Sequence, residues 1–543
     1  MVRSTDGVGR RRIIGHLESL RVLTETHPLA RSLLRSTAIV GQMTLLSRVL
    51  GFVRDVVIAH AFGATMAADA FFVAFKIPNL FRRLFAEGAF AQAFVPVVSE
   101  YRERDGDEAV VDLVNATAGS LGLVLLGFVG LGVVAAPLFV FVFAPGFADE
   151  PDKLALAGDL LRLTFPYLGF ISLTALAGSV LNTYGRFAVP AFTPVLLNIA
   201  LIGAAVLIAP HLERPVFALA IGVLVGGIAQ LAMQYAALAR LGFSLRPIVA
   251  FGHAGVRQIL RLMGPAIFGV SVAQINLLLD TVIASFLVTG SISWLYYSDR
   301  LVEFPLGVFG IALATVILPA LSARHNEGLG EAFSRTLDWA LKWVFLLGVP
   351  AACALAVLSG PLLCTLFGYG ALSDHDVNMA ARSLVAYSGG LLAFILIKVL
   401  APGYFARQDT RTPVRIGIIA MCANMALNLV LVFPLAHAGL ALATTLSACL
   451  NAGLLWRGLR REGVYVAAPG WALFIVRVVA AAAVMCFALW SWSAPLSEWF
   501  SWSAMTRAQQ LFGAVVLGVG VYFCVIALLG MRPRHMAMPG RQV

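Results

Sequence analysis

The sequence predicts an all-α integral membrane protein of about 14 transmembrane helices, built as two parallel six-helix lobes around a central cavity plus two C-terminal helices. Three observations carry that prediction. Apolar stretches of about 18 to 25 residues recur from one end of the chain to the other, each long enough to cross a hydrocarbon core as a helix. Only 12% of the residues are charged and 60% are hydrophobic, with a mean hydropathy of +0.89, where a soluble domain carries about twice that share of charge. The chain also repeats itself at an interval of about 225 residues. Because the runs are continuously apolar and do not alternate with period two, a transmembrane β-barrel is excluded.

The first thirty residues are polar and mixed, with no apolar core or small-residue cleavage site of a signal peptide, and read as a cytoplasmic tail. Splitting the rest of the chain at glycine, proline and charge breaks places span starts near residues 34, 67, 112, 155, 188, 215, 256, 292, 335, 378, 412, 437, 469 and 507. Basic residues then sort the loops. Arg102 and Arg104, Arg186, Arg240 with Arg246, Arg257 and Arg261, Arg324 with Arg335, Arg407 with Arg411 and Arg415, and Arg457 with Arg460 and Arg461 fall in alternate loops. The loops between them are short or acidic, as in "APGFADEPDK" and "GYGALSDHDV". Positive-inside bias therefore puts both termini in the cytoplasm, and it accounts for the net charge of +11 without nucleic acid.

Internal similarity sets the domain plan. "DVVIAHAFG" parallels "DTVIASFLV", and "AFVPVVSEY" parallels "VILPALSAR". An even number of helices per copy gives both copies the same orientation, which makes them parallel repeats about an axis along the membrane normal. The resulting boundaries are 1–30 (N-terminal tail), 31–245 (N-terminal lobe), 246–465 (C-terminal lobe), 466–532 (two further helices) and 533–543 (C-terminal tail). Six cysteines without C-x-x-C spacing read as small core residues. Trp490, Trp492, Trp499 and Trp502 read as an interfacial belt, and His60, His253 and His437 as interfacial histidines. No P-loop, nucleophile elbow or H-E-x-x-H motif is present, so the chain is not read as an enzyme.

A membrane fold alone does not explain charge at bilayer depth. Arg48, Arg54 and Asp55 lie inside the first span, and Asp69 and Lys76 in the second, with Arg82, Arg83 and Glu87 further along in "NLFRRLFAEGAF". In the eighth, "WLYYSDRLVEFP" holds Asp299, Arg300 and Glu303. An arginine facing lipid at such depth costs about 3 kcal/mol on the lenient insertion scale, so four would cost about 10 kcal/mol or more. They must share a hydrated cavity. Helical spacing points Arg48 and Asp55 the same way and rotates Arg54 from them by about 120° unless the helix bends at Gly51. Adjacent Arg82 and Arg83 should not both face inward, which leaves Arg83 the choice of snorkelling to the surface. Internal salt bridges could absorb some of this charge, but arginines outnumber the acids at these depths. The surplus suits an anion, and a guanidinium fork suits phosphate.

The stretches "SRVLGFVRD", "DAFFVAFKIPNLFRRLFAEGAFAQAFVP", "APGFAD", "WLYYSDRLVEFP" and "KVLAPGYFARQDTRTPV" resemble the signature segments of the MurJ/MviN family, the lipid II flippases of the multidrug/oligosaccharidyl-lipid/polysaccharide exporter superfamily. The likeness runs from about residue 31 to the end. It implies transfer of undecaprenyl-pyrophosphate-linked disaccharide pentapeptide (lipid II) across the bacterial cytoplasmic membrane for peptidoglycan synthesis. The partners it implies are lipid II, membrane lipids and the cell-wall synthesis machinery. Carried over by position, Arg48, Arg54, Arg82 and Arg300 become the pyrophosphate cradle, with Arg83 beside it. Asp69 and Glu87 become acids important for transport, and Ser47 and Asp55, with Glu303, a gate.

Asp280 in the seventh span, Asn424 and Asn428 four apart in the eleventh, and Thr444 in the twelfth are hard oxygen ligands that suit a small cation. Some relatives bind Na⁺ with such a set, which makes Na⁺ a possible coupling ion and leaves no other cofactor expected. This sequence departs from them at position 428, where Asn replaces a second acid. A proton on Asp280, or plain interhelical hydrogen bonding by the amides, are the competing readings. Two further functions stay open on the sequence: a cation-coupled multidrug or other polyprenyl-linked glycan exporter of the same superfamily, and a membrane scaffold for cell-wall machinery. The scaffold leaves the buried charges unexplained.

Overall fold

The structure, a computed structural model, describes residues 28–84 and 90–532. Both predicted tails and Glu87 lie outside the described residues, apart from Pro28–Ala30 at the start of the first helix. Among the described residues the chain is helical and has no strand. Ten of its helical segments are long and apolar enough to cross a membrane.

The N-terminal lobe contains α1 (Pro28–Phe62), α2 (Met66–Phe81), α3 (Ala91–Arg104), α4 (Gly106–Val134), α5 (Ala136–Phe143), α6 (Pro151–Thr164), α7 (Tyr167–Thr183), α8 (Ala188–Gly203) and α9 (Phe217–Arg240). An extended linker leads to the second lobe: α10 (Ala254–Ser285), α11 (Ser291–Pro305), α12 (Ile311–Asn326), α13 (Gly330–Val357), α14 (Ser359–Leu366), α15 (Asp374–Ser388), α16 (Leu391–Phe405) and α17 (Arg411–Arg461). The remainder is α18 (Trp471–Trp492), the short α19 (Leu496–Ser501) and α20 (Ala504–Leu528). α18 and α20 pack on each other and, through α13, on the second lobe. Helix α17 is two arms. Ala436 adopts φ +49°, and Gly439 then passes so close to the Leu431 carbonyl that no side chain fits there. That turn separates the two spans expected to start near 412 and 437.

In each lobe an asparagine on a later helix holds the first helix. In the first lobe, Asn198 on α8 takes Arg54 Nη1 on its oxygen at 3.0 Å and donates to the Ser47 carbonyl of α1 at 3.0 Å. In the second lobe, Asn428 on α17 donates to Asp280 of α10 at 2.7 Å. Asp55 and Asp280 are the matching acids of the two repeat copies, and each has an asparagine-bearing helix behind it.

At one end the lobes are sealed together. Asp69, at the start of α2, accepts from the Gly290 amide at 2.7 Å and from the amide and hydroxyl of Ser293 at 3.0 and 2.7 Å. It thereby caps the first turn of α11 from the opposite lobe, as a carboxylate at a helix N-terminus does. Lys153, 1% exposed, lies 3.5 Å from Asp69 and donates to Thr289 at 2.9 Å. Gly146 donates to the Ser285 hydroxyl at 3.0 Å, Tyr297 to the Gly63 carbonyl at 2.8 Å and Ala371 to the His60 carbonyl at 2.9 Å. Gly63 is required at that crossing, since its φ is +60° and a Cβ would run into the Ala371 carbonyl.

Three expectations change. Trp499 is 1% exposed and lies tilted against Trp502, ring centres 4.9 Å apart, because α19 folds it inward; Trp490 and Trp492 remain exposed. His437 is buried, bonded to the Met379 carbonyl at 3.0 Å and packed on Trp294, while the His253 ring caps α10 through the Gly255 amide. Of the six cysteines only Cys364 is buried, and Cys422, Cys449 and Cys524 are exposed on helix faces that are free to meet lipid.

Replacing Asp69 by Ala removes three hydrogen bonds to α11 and leaves Lys153 buried beside an empty place, a change worth about 3 kcal/mol or more. The expected outcome is a clear fall in Tm of the solubilised protein, smaller for the paired replacement Asp69→Asn with Lys153→Met, which strands no charge. Equal falls in the two variants would refute the latch.

Candidate functional site

Between the lobes lies a cavity of about 870 Å³. Among the described residues five cations line it (Arg54, Lys76, Arg82, Arg83 and Arg300), against three acids, Asp280, Asp299 and Glu303. These eight of the charges expected at depth, or just beside it, therefore converge on one chamber, whose lining does not include Arg48, Asp55 or Asp69.

Behind the chamber wall, in contact with the lining residues Arg54, Tyr296 and Arg300, lies a carboxylate shared across the lobes. Asp55, 1% exposed, takes Nε and Nη2 of its neighbour Arg54 at 2.9 and 2.7 Å on Oδ1, and the Tyr296 hydroxyl at 2.8 Å. Its other oxygen lies 3.4 Å from Arg300 Nε, on the opposite lobe. Arg300 also pairs with Glu303 one turn on and stands 4.7 Å from the centre of the Tyr296 ring. Tyr296 in turn stacks on Phe72 of the first lobe at 4.1 Å. Asp55 and Glu303 thus answer these two guanidiniums one for one, and the excess of positive charge in the lining lies with Lys76, Arg82 and Arg83 against Asp280 and Asp299.

Arg48 departs from the expected direction. It is exposed and absent from the cavity lining, and its guanidinium reaches from α1 across to Gly307, where a Cβ would collide with it. Arg54 and Asp55 share the interior instead, because a salt bridge between sequence neighbours brings together side chains that helical spacing alone points apart. Arg82 and Arg83 both line the chamber. The helix there is wound in π fashion over residues 82–84, and the cavity is wide enough to receive both directions. Arg82 Nε donates to Asn79 at 3.1 Å. Lys76 faces the acids Asp280 and Asp299 with no ion pair among the described residues.

Asp69 and Ser47 are placed apart from this chamber, while of the expected oxygen ligands Asp280 and Thr444 line it and Asn424 and Asn428 are buried behind them. Asp69 belongs to the seam described above. Ser47 enters through its backbone carbonyl alone. The oxygen ligands are assembled as a row that runs from the cavity wall into the second lobe. Asp280 accepts from Asn428 at 2.7 Å, Asn428 donates to Asn424 at 3.0 Å, and Asn424 donates to Thr444 at 3.4 Å. Among the described residues no three His, Cys, Asp or Glu side chains group as a metal site, so any cation here would rest on one carboxylate and neutral oxygens. Asn428 Oδ1, buried and without a donor among the described residues, is an oxygen still available.

Sequence reasoning missed Tyr296, which orders Asp55 and Arg300 together, and Asn198. Neither has a spacing signal; each acts only through the packing of its helix against another.

The family model for "Lipid II flippase MurJ" matches residues 58–509. The chain belongs to that family. It is 50% identical over 514 residues to a probable lipid II flippase MurJ of Vibrio cholerae, covering 93% of this chain and 98% of that one. To the lipid II flippase MurJ of Burkholderia cenocepacia it is 45% identical, over 92% and 98% of the two chains. Among solved structures it is similar to lipid II flippase MurJ in an inward closed conformation, with a TM-score of 0.76 and 26% identity over 90% of this chain and 98% of that one. An inward-facing multidrug MATE transporter shares the fold at a TM-score of 0.64 and 13% identity, over 79% and 98%.

Asp55 and Glu303 differ in burial and should differ in consequence. Asp55→Ala takes its acid from the largely buried Arg54 and one of two acids from Arg300, and is expected to cost about 3 kcal/mol of stability; Glu303→Ala, on a half-exposed partner, about 1 kcal/mol or less. Chemical denaturation in detergent orders the two. Similar losses would mean that Asp55 does not bridge the lobes.

Proposed function

We propose that the protein is a lipid II flippase, carrying undecaprenyl-pyrophosphate-linked disaccharide pentapeptide from the inner to the outer leaflet of the bacterial cytoplasmic membrane by alternating access. The observation that carries the reading is the chamber between two lobes whose cations exceed its acids. A diphosphate is the anion that arginine forks hold best, and the polyprenyl tail stays in lipid outside. A cation-coupled drug exporter of the same superfamily fits less well, since this chamber repels cations. Names borne by the relatives point the same way.

In this reading the chain crosses the membrane about fourteen times with both termini cytoplasmic, and the lobes run over 31–245 and 246–465, with 466–532 appended. The Asp69 seam then faces outward and closes the outer side. Arg54, Arg82 and Arg300 hold the diphosphate, Arg83 and Lys76 add positive potential, and Arg48 stands at the α1 to α11 opening with Ser47, Asp55 and Glu303. Glu87 and Asp69 act as the acids important for transport. Product delivered to the outer leaflet passes to the cell-wall synthesis machinery.

Na⁺ is the coupling ion this reading assigns to Asp280, Asn424, Asn428 and Thr444. The donor set fits it, as a hard monovalent ion needs oxygens and tolerates a single carboxylate.

The test is leaflet accessibility of lipid II in cells depleted of their own flippase. Wild-type chain restores outer-leaflet lipid II. Arg54→Ala and Arg300→Ala are expected to reduce it about tenfold or more, with Arg300→Lys intermediate because Lys keeps the charge and loses the fork. Arginine variants as active as wild type would overturn the proposal. Asp280→Asn should remove any dependence of the rate on Na⁺, and a wild-type rate indifferent to Na⁺ would remove the ion from the cycle while leaving the flippase reading intact.

A further inference from the structure

The chamber has a second wall without charge. None of its lining residues on α7, α8 or α9 is ionisable apart from the phenol of Tyr167. Several are polar, and their hydrogen bonds run in one sense. Thr174 donates to the Phe170 carbonyl at 2.8 Å, Ser179 to the Ala175 carbonyl at 2.8 Å, and Thr193 to the Val189 carbonyl at 3.0 Å. Each hydroxyl has spent its proton on the preceding turn of its own helix and presents lone pairs.

Two glutamines extend the pattern. Gln230 and Gln234 are 2% and 1% exposed. Gln230 Nε2 donates to the Thr193 carbonyl at 3.0 Å, and a carbonyl can only accept, so the amide orientation is fixed with Oε1 pointing away. Gln234 Nε2 donates to the Thr193 hydroxyl at 2.6 Å, and because that hydroxyl's proton is engaged with Val189, this amide is fixed too. Both Oε1 atoms are left without a donor among the described residues.

A buried acceptor that lacks a donor costs about 1 to 3 kcal/mol, and such groups in a cavity wall select ligands that bring N–H or O–H. We propose that this face of the N-terminal lobe is the subsite for the neutral, donor-rich part of the headgroup, the hydroxyls and amide N–H groups of a glycan or peptide, while the arginine wall opposite holds the anion. The proposal rests on the flippase reading and adds to it an orientation. An array of acceptors repels phosphate and carboxylate oxygens, so the diphosphate is driven to the cationic wall and the glycan to the acceptor wall.

The experiment uses the full chain in lipid nanodiscs and two probes, lipid II and undecaprenyl diphosphate without sugar or peptide. Wild type is expected to bind lipid II about tenfold or more tighter than the bare diphosphate lipid. Gln230→Leu and Gln234→Leu should weaken lipid II about tenfold and leave the bare lipid within about twofold; the isosteric Thr174→Val should move the same way by about threefold and serves if the glutamine variants fail to fold. Arg300→Ala should weaken both probes. Wild type binding the two probes equally, or wall variants that weaken both alike or neither, would overturn the subsite while the flippase reading stands. Wild type binding neither probe would overturn the flippase reading itself.

Discussion

A guanidinium cannot rest at bilayer depth without a partner or water, and this structure meets that constraint chiefly through one carboxylate. Asp55 lies between Arg54 of its own helix and Arg300 of the other lobe, with the Tyr296 hydroxyl locking the geometry. Removing two charges from water and pairing them is roughly neutral in free energy; separating them afterwards is not. The arrangement of the two lobes is therefore tied to where this one acid finds its counter-charges. α1 and α11 cannot move apart unless water or another anion takes the place that Asp55 holds on Arg300.

The Asp69 seam works by a different chemistry. There the partners are backbone amides of Gly290 and Ser293, which carry no net charge, and Lys153 balances the acid from within its own lobe. Opening that seam exposes the first turn of α11 and leaves Asp69 with Lys153, a pair that survives the separation.

Much of the fold was legible in the sequence because a membrane imposes length and continuity on every helix. The span starts near 412 and 437 fall on the two arms of α17, although Ala436 is not a residue whose type announces a turn. The convergence of Arg54, Arg82 and Arg300 was legible from cost alone; that of Arg83 was not, because the spacing of adjacent arginines argued against both facing inward. Direction was not. Spacing aligned Arg48 with Asp55, yet Arg48 reaches toward Gly307 and Asp55 turns to Arg54, because a long side chain follows its partner more than its Cα vector. The row from Asp280 to Thr444 was readable as polar residues on three spans, but hydrogen-bond sense was not, and neither was the acceptor face of Thr174, Ser179, Gln230 and Gln234. A sequence gives the groups; only packing decides which of their atoms are already spent.

The two walls differ in which body carries them. The acceptor face lies wholly on α7, α8 and α9 of one lobe, while the cationic wall is divided between α1 and α2 on that lobe and α11 on the other. Any relative motion of the lobes then changes the spacing of the arginines and leaves the acceptor face unchanged. A headgroup anchored to the acceptor face would travel with the first lobe, and its diphosphate would meet Arg300 only in arrangements that keep α11 close. An anion bound there competes with Asp55 for the same guanidinium, so occupancy of the chamber and the grip between the lobes draw on one shared charge.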